Sequence, residues 1–306
     1  MVDSSLVHTV CEKPIHKMRI KSIKKITKQA VVYNFHVPKY ENYIANGIVT
    51  HNCYVARNRV FGNPIEKYIN GNDAWEAVKA FHDTLGPKEP NQCDPVFWTY
   101  DIGESTDCLI PENIDNTSWY INKFLTTDAK PSFATKVAGA RSLPVVGNRA
   151  MARVRVSVAP QHIITKVEKG TSNLKARIKG IQELYDRGYE VHLNFSPIIV
   201  YKGWSNDYIN LLKYIDSNIS QKVKDQIKCE VIFLTHSPSL HESNMRWIPE
   251  AEDLMWTPDW QESKTTQRGD SNVIRYRAFN FKNKLVDNFK NIIKDHMPYC
   301  TIRYIF

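Results

Sequence analysis

With 306 residues, 42% hydrophobic and 24% charged, the chain has the composition of a soluble globular protein of one or two domains. No stretch approaches the ~18 uncharged apolar residues of a membrane span, and the start lacks the basic-then-apolar order of a secretory signal, so a cytoplasmic protein without membrane contact is expected. Six cysteines without a CxxC pair exclude both a disulfide framework and a complete metal site written in this chain alone. The formal charge of +9 is uneven: residues 1–52 hold eight basic and three acidic side chains, so +5 of it lies in the first sixth of the chain. A small, strongly basic segment is expected to meet an acidic partner.

In chain order, residues 18–26 alternate as Met-Arg-Ile-Lys-Ser-Ile-Lys-Lys-Ile, and Val31, Tyr33, Phe35 and Val37 share one face of a second run. Both patterns predict half-buried strands. Asn46-Gly47, between Tyr43-Ile-Ala45 and Ile48-Val-Thr50, suits the positive φ of a tight hairpin. A β unit of this size buries too little surface to fold well alone, which also calls for a complement.

That segment ends in Asn46-Gly-Ile-Val-Thr-His-Asn-Cys53, which resembles the C-terminal splice junction of inteins. Val32-Tyr-Asn-Phe-His-Val37 resembles their other C-terminal motif, at matching spacing. The resemblance implies a small all-β fragment of the intein (Hint) fold over residues 1–52. The residue types suit the chemistry it implies. The Cys53 thiol takes over an acyl group from an upstream thioester. Asn52 then cyclises onto its own carbonyl and cuts the chain before Cys53, while His51 donates protons to the departing groups. Inteins commonly carry Asp at the position of Asn34 and His at that of Glu41, so Asn34 can hydrogen-bond here but cannot titrate. The initiating half of an intein is missing from the sequence. Splicing in trans with an N-terminal intein and extein polypeptide is therefore expected; a sequence cut short by its source is the alternative.

From Cys53 onward, β-like runs alternate with helical periodicity, predicting βα repeats and a parallel sheet. The expected strands are 96–100, 133–137, 152–158, 191–200 and 229–234. Leu174, Ile178, Ile181 and Leu184 predict a helix capped by Thr171 or Ser172 and ended by Gly188; Trp204, Tyr208, Leu211 and Ile215 predict the next. Such units closing partway round form an α/β partial barrel of TIM type, with its chemistry at the C-terminal strand ends.

Cys53-Tyr54-Val-Ala-Arg-Asn-Arg59 resembles the last cysteine and aromatic of the CxxxCxxC loop of radical S-adenosylmethionine enzymes. Phe133-Ala-Thr-Lys136, Arg153-Val-Arg-Val-Ser157, Glu168-Lys-Gly-Thr-Ser-Asn-Leu174 and Ser196-Pro-Ile-Ile-Val-Tyr-Lys-Gly-Trp204 resemble, in that order, the spore photoproduct lyase family. The resemblance implies residues 53–306 as a C-extein. Cys53 would bind iron of a [4Fe-4S] cluster that forms, with bound S-adenosylmethionine, only after ligation to the missing N-terminal part. Gly103-Glu104 would meet the cofactor's ammonium, Lys136 its carboxylate and Ser157 its ribose. Tyr54 would either relay a hydrogen atom or pack beside the cluster. The family's hydrogen-donating cysteine falls near Glu104 here, with Cys108 four residues on. DNA photoproduct repair and a related radical reaction, on a nucleotide or on another substrate, both stay open.

Trp247, Trp256 and Trp260 read as barrel cover rather than cleft lining, and Arg275-Tyr276-Arg277 as a solvated face rather than a phosphate contact. His236 and His241 have no metal-ligand partner at a convincing spacing. Two further readings remain: an intein remnant on a cluster-less, basic nucleic-acid-binding module, and an enzyme whose N-terminal β unit is permanent, with Cys53 structural.

Overall fold

The computed structural model describes residues 71–91, 93–103, 107–265, 272–277 and 281–306, together with the short strands β1 (Ile44–Ala45) and β2 (Ile48–Val49). All belong to one compact unit, Phe35–Phe306. Expectations for Asn34, His51, Asn52, Cys53, Tyr54 and Glu104 lie outside the described residues. β1 and β2 pair antiparallel with Ile44 opposite Val49 and Ala45 opposite Ile48.

The remaining elements are α1 (Gly71–His82), β3 (Thr99–Asp101), α2 (Ile114–Phe124), β4 (Lys130–Thr135), β5 (Arg153–Ser157), α3 (Gln161–Val167), α4 (Leu174–Asp186), β6 (Glu190–Ile198), α5 (Trp204–Asn218), α6 (Gln221–Lys224), β7 (Lys228–Phe233), β8 (Thr235–His236), α7 (Pro238–Trp247), α8 (Pro249–Met255), β9 (Gln261–Thr265), β10 (Asn272–Tyr276), α9 (Asn283–His296) and β11 (Thr301–Ile305). Six strands form one wholly parallel sheet in the order β11-β7-β6-β5-β4-β3. Its two end strands do not pair with each other, so the barrel is partial, as the βα alternation predicts. β8, β10 and β9 form a separate antiparallel sheet. No helix among the described residues is long and apolar enough to cross a membrane.

Alternation along the strands divides the sheet's two faces. On β5 and β6, Val154, Val156, Val191, Leu193 and Phe195 enter the apolar core with Ile178, Ile181 and Leu184 of α4 and Tyr208 and Leu211 of α5. Phe195 meets Phe289 of α9 edge-on at 5.3 Å, and Trp204 stacks on Phe289 at 6.3 Å. Burying one such side chain contributes about 1.5–3 kcal/mol.

The intervening residues of the same strands are charged or polar. Lys130 donates to Asp94 at 2.5 Å and Glu190 at 2.8 Å, and Arg153 to the same two carboxylates at 2.6 and 3.0 Å. Arg155 bridges Asp101 and Glu230, and Arg303 of β11 also binds Glu230. Four cations thus face four carboxylates. His192 adds no charge: burial pushes its imidazole down to about 4, against the opposing pull of its 2.9 Å bond to Glu190.

Three local expectations are corrected. The first strand starts at Thr99 rather than Val96, because Asp94 Oδ1 accepts the amides of Val96 and Phe97 at 2.9 and 2.8 Å and bends 94–97 into a turn. β4 starts at Lys130, three residues before Phe133, since its ion pairs let a lysine enter the sheet. α4 is capped by Asn173, whose side chain accepts from Ala176 N at 2.9 Å; Thr171 and Ser172 bond to Glu168 and Ala138 instead.

Gly188 does end α4, at φ +88°, and a Cβ there would overlap the Val146 carbonyl oxygen. Gly188→Ala is therefore expected to cost at least about 2 kcal/mol, measured as a lower urea midpoint at unchanged slope.

Candidate functional site

The C-terminal ends of β3 to β6 bring together the described members of the expected site. β3 runs into Gly103, held by Ile102 N donating to Ser132 O at 2.9 Å and by Gly103 N donating to Asp101 Oδ1 at 3.2 Å. A Cβ at Gly103 would overlap Cys108 Sγ and crowd Phe133, so glycine is required there by close packing. Cys108 is buried in the core, its thiol 3.7 Å from the Ile102 carbonyl.

Asp107 anchors the far side of the 104–106 segment. Its carboxylate accepts Thr135 Oγ1 at 2.7 Å, Lys136 N at 2.6 Å and Leu109 N at 2.9 Å. Burial pushes its carboxyl above the usual range even so. Both residues flanking that segment are thus fastened at the mouth of the sheet, at the end of β3 and the end of β4.

Lys136 follows β4 directly. Its ammonium donates to Glu168 Oε1 at 2.5 Å and to the Ser196 carbonyl at 3.1 Å. Arg177 holds the other side of Glu168, at 2.7 Å, and also donates to Thr171 Oγ1 at 2.7 Å and to the Ser157 carbonyl at 3.0 Å. Burial raises the Glu168 carboxyl, but the Lys136 and Arg177 charges outweigh it and bring it down to about 2. Lys136 is therefore not the isolated cation its strand-end position suggests. Lys136, Glu168 and Arg177 form a buried group with a net charge of +1.

Ser157, the last residue of β5, lies in register with Asn194 of β6, whose Nδ2 is 3.3 Å from Ser157 Oγ. Asn194 Oδ1 is buried and has no hydrogen-bond partner. An unsatisfied buried acceptor costs free energy, and here it stands beside a hydroxyl at the end of the sheet where βα folds place their ligands. The structure thus brings Gly103, Lys136 and Ser157 to one end of the sheet and adds Asn194, Glu168 and Arg177. No motif singles out Asn194; its signal is the polar alternation Glu190, His192, Asn194 through an otherwise apolar strand. Arg177 is hidden by its helical position, which reads as solvent-facing.

Of the four described cysteines only Cys229 and Cys300 meet, side chain to side chain, and no three converge. Cys93 is exposed, and its carbonyl accepts Arg153 Nη1 at 2.8 Å beside the ion network, while Cys108, Cys229 and Cys300 are buried. Among the described residues one group of three metal-ligand side chains does converge, His236, His241 and Glu252. This corrects the expectation that the two histidines lack a partner: their carboxylate comes from another helix, which spacing along the chain cannot reveal. Of the Trp residues, Trp256 stacks on His241 with ring centres 4.0 Å apart and Trp260 packs near Phe281, while Trp247 is exposed. Tyr276 is buried with its hydroxyl accepting Val200 N at 2.7 Å, Arg275 pairs with Glu262, and Arg277 donates to backbone carbonyls.

Comparison with known proteins places this geometry. Residues 25–306 match the family model described as spore photoproduct lyase. The spore photoproduct lyase of Bacillus subtilis (strain 168) is 23% identical over 184 residues, covering 60% of this chain and 52% of that protein. The Clostridium acetobutylicum spore photoproduct lyase is 25% identical over 117 residues, covering 38% and 34%. The chain thus spans about half the length, or less, of these curated relatives. Among solved structures, a spore photoproduct lyase complexed with dinucleoside spore photoproduct superposes with a TM-score of 0.72 at 18% identity, covering 90% of this chain and 80% of that one. A mutant spore photoproduct lyase with bound AdoMet and dinucleoside spore photoproduct gives 0.71 at 18%, covering 83% and 73%. At such identities the structures share the fold, and it is the match across nearly the whole chain that decides membership: this protein belongs to the spore photoproduct lyase family.

Proposed function

We propose that the protein is the C-terminal partner of a trans-splicing pair, and that ligation through Cys53 yields a radical S-adenosylmethionine enzyme of the photoproduct lyase kind. The observation that carries this reading is the His51-Asn52-Cys53 junction, which lies inside a family match that continues to residue 306. Residues 1–52, with Asn34, His51 and Asn52, remove themselves. Cys53 becomes the first residue of the C-extein, joined to the N-terminal partner's extein, and one of the cluster thiolates, with Tyr54 beside it.

The described residues fit S-adenosylmethionine. The orphaned Asn194 Oδ1 accepts a hydroxyl proton such as a ribose offers, Ser157 Oγ stands next to it, and the net +1 of Lys136, Glu168 and Arg177 suits a carboxylate. Glu104, between the anchors Gly103 and Asp107, supplies the charge for an ammonium. When bound, the cofactor supplies a precursor of a carbon radical. A [4Fe-4S] cluster does not fit the described cysteines, no three of which converge, so on this reading its remaining thiolates belong to the N-terminal partner.

A dinucleotide lesion in DNA is the first substrate to test, because solved relatives carry a dinucleoside spore photoproduct. One observation favours a second reading: the family match begins at residue 25, inside the β segment. On that reading the segment is a permanent part of the enzyme. Mixing the chain with a polypeptide carrying an N-terminal intein half and a CxxxC sequence separates the two, since only splicing releases residues 1–52. In the ligated protein, Asn194→Ala is expected to weaken S-adenosylmethionine binding by about 10-fold, read by equilibrium dialysis. Unchanged binding removes Asn194 from the site.

A further inference from the structure

Glu252 of α8 is a buried carboxylate of an unusual kind in this protein. Asp94, Glu168, Glu190 and Glu230 each meet a lysine or arginine, and buried Asp107 is held by two backbone amides and a hydroxyl. Glu252 meets none of these. Its partners are His236 Nε2 at 2.9 and 3.1 Å, His241 Nδ1 at 2.5 Å and the Asn244 carboxamide. Three potential ligand side chains from three separate elements thus converge inside the protein.

We propose that His236 Nε2, His241 Nδ1 and the Glu252 carboxylate form a binding site for one divalent transition-metal ion, zinc first, with a coordination position left open to solvent. The three ligand atoms already lie within 4.8 Å of one another, against separations of about 3.3 Å around a tetrahedral zinc ion, so side-chain adjustments suffice. Two imidazoles and a carboxylate are a donor set that zinc favours, and three protein ligands leave a fourth position for water. His236 and Glu252 are nearly inaccessible, whereas His241 is 26% exposed, which gives the ion a path inward. The surroundings hold the ligands in place. Asn244 donates to the carboxylate, and Trp256 stacks on His241 and meets His236 edge-on at 5.4 Å.

The site is built from three elements: β8, which follows β7 after a single residue, α7 and α8. A bound ion would tie the antiparallel sheet to both helices. Ser237 N now donates to His236 Nδ1 at 3.0 Å, so the ring's proton sits on Nε2. Coordination through Nε2 moves that proton to Nδ1, so the His236–Glu252, His241–Glu252 and Ser237–His236 hydrogen bonds are all exchanged for the three coordinate bonds.

The site is independent of splicing and of the iron–sulfur cluster, so it is testable on the full chain as expressed. Co2+ is titrated while visible absorption is followed, and Zn2+ is then competed against a chromophoric chelator. One ion per chain is expected, with cobalt bands of a nitrogen–oxygen site and no thiolate charge-transfer band. Glu252→Gln and His241→Ala should each weaken zinc by at least about 100-fold, while Cys53→Ser leaves it unchanged. A thiolate band, loss of binding in Cys53→Ser, equal binding by His241→Ala, or no binding at one equivalent each overturns the proposal. Should a variant fail to fold, the wild-type stoichiometry and cobalt spectrum decide alone.

Discussion

Asn52→Ala is expected to lower the yield of ligated product by at least about 100-fold in the presence of the N-terminal partner, because the side-chain amide that attacks the backbone carbonyl is gone. The branched species formed by acyl transfer to Cys53 should accumulate, visible as a slower gel band that hydroxylamine cleaves. Cys53→Ser separates the residue's two roles. In the splicing reaction it leaves a hydroxyl in place of the thiol and slows transfer. In a protein made already joined, with no intein to remove, it deletes one of three cluster thiolates, so bound iron should fall toward zero while the barrel stays folded. Full iron content in the joined Cys53→Ser protein would show that Cys53 is not a cluster ligand.

Arg153→Met should be among the most destabilising single changes in the barrel. Arg153 is 2% exposed and donates to Asp94, Glu190 and the Cys93 carbonyl, so its loss leaves the buried Asp94 and the half-buried Glu190 sharing Lys130. Breaking a buried pair from one side costs about 3–5 kcal/mol, a large part of the stability of such a domain. Urea denaturation checks it; a change below about 1 kcal/mol would mean that the network contributes little.

Acid should act on the same structure. The folded His192 titrates near 4 rather than 6.5, so between those values the unfolded chain takes up a proton that the native chain does not, and stability falls as pH falls through the window. Glu168, brought down to about 2 from an ordinary 4.5, continues the loss below pH 4.5. Denaturation midpoints should decline steadily from pH 6.5 downward. A rise would contradict these assignments.

The parallel strands were legible in the sequence because their outward faces are apolar at period two: Val154 and Val156, then Val191, Leu193 and Phe195, pack under helices whose own apolar stripes repeat at 3.6. Strand starts were less legible. Lys130, Arg153 and Glu190 begin their strands as charged residues, and only their mutual pairing makes that tolerable. The antiparallel β8-β10-β9 sheet gave no clear signal, since β8 is two residues long and pairs with a strand more than thirty residues away.

The same limit governed the site. Gly103, Lys136 and Ser157 lie in short runs whose residue types suggest their roles, whereas Glu168, Arg177 and Asn194 matter through contacts across elements. Glu252 stands eleven residues beyond His241, in a stretch of acidic helix like many others, and only folding sets it between two imidazoles.

The measurement that tests the central claim most directly is tryptic peptide mass spectrometry of the native protein in its source cell. An unspliced chain yields Tyr40–Arg57, with His51-Asn52 still joined to Cys53. The account predicts instead that Cys53-Tyr54-Val55-Ala56-Arg57 is found attached to residues encoded elsewhere, with a second cysteine close upstream. Recovery of Tyr40–Arg57 alone, in cells that also make the N-terminal partner, would contradict it.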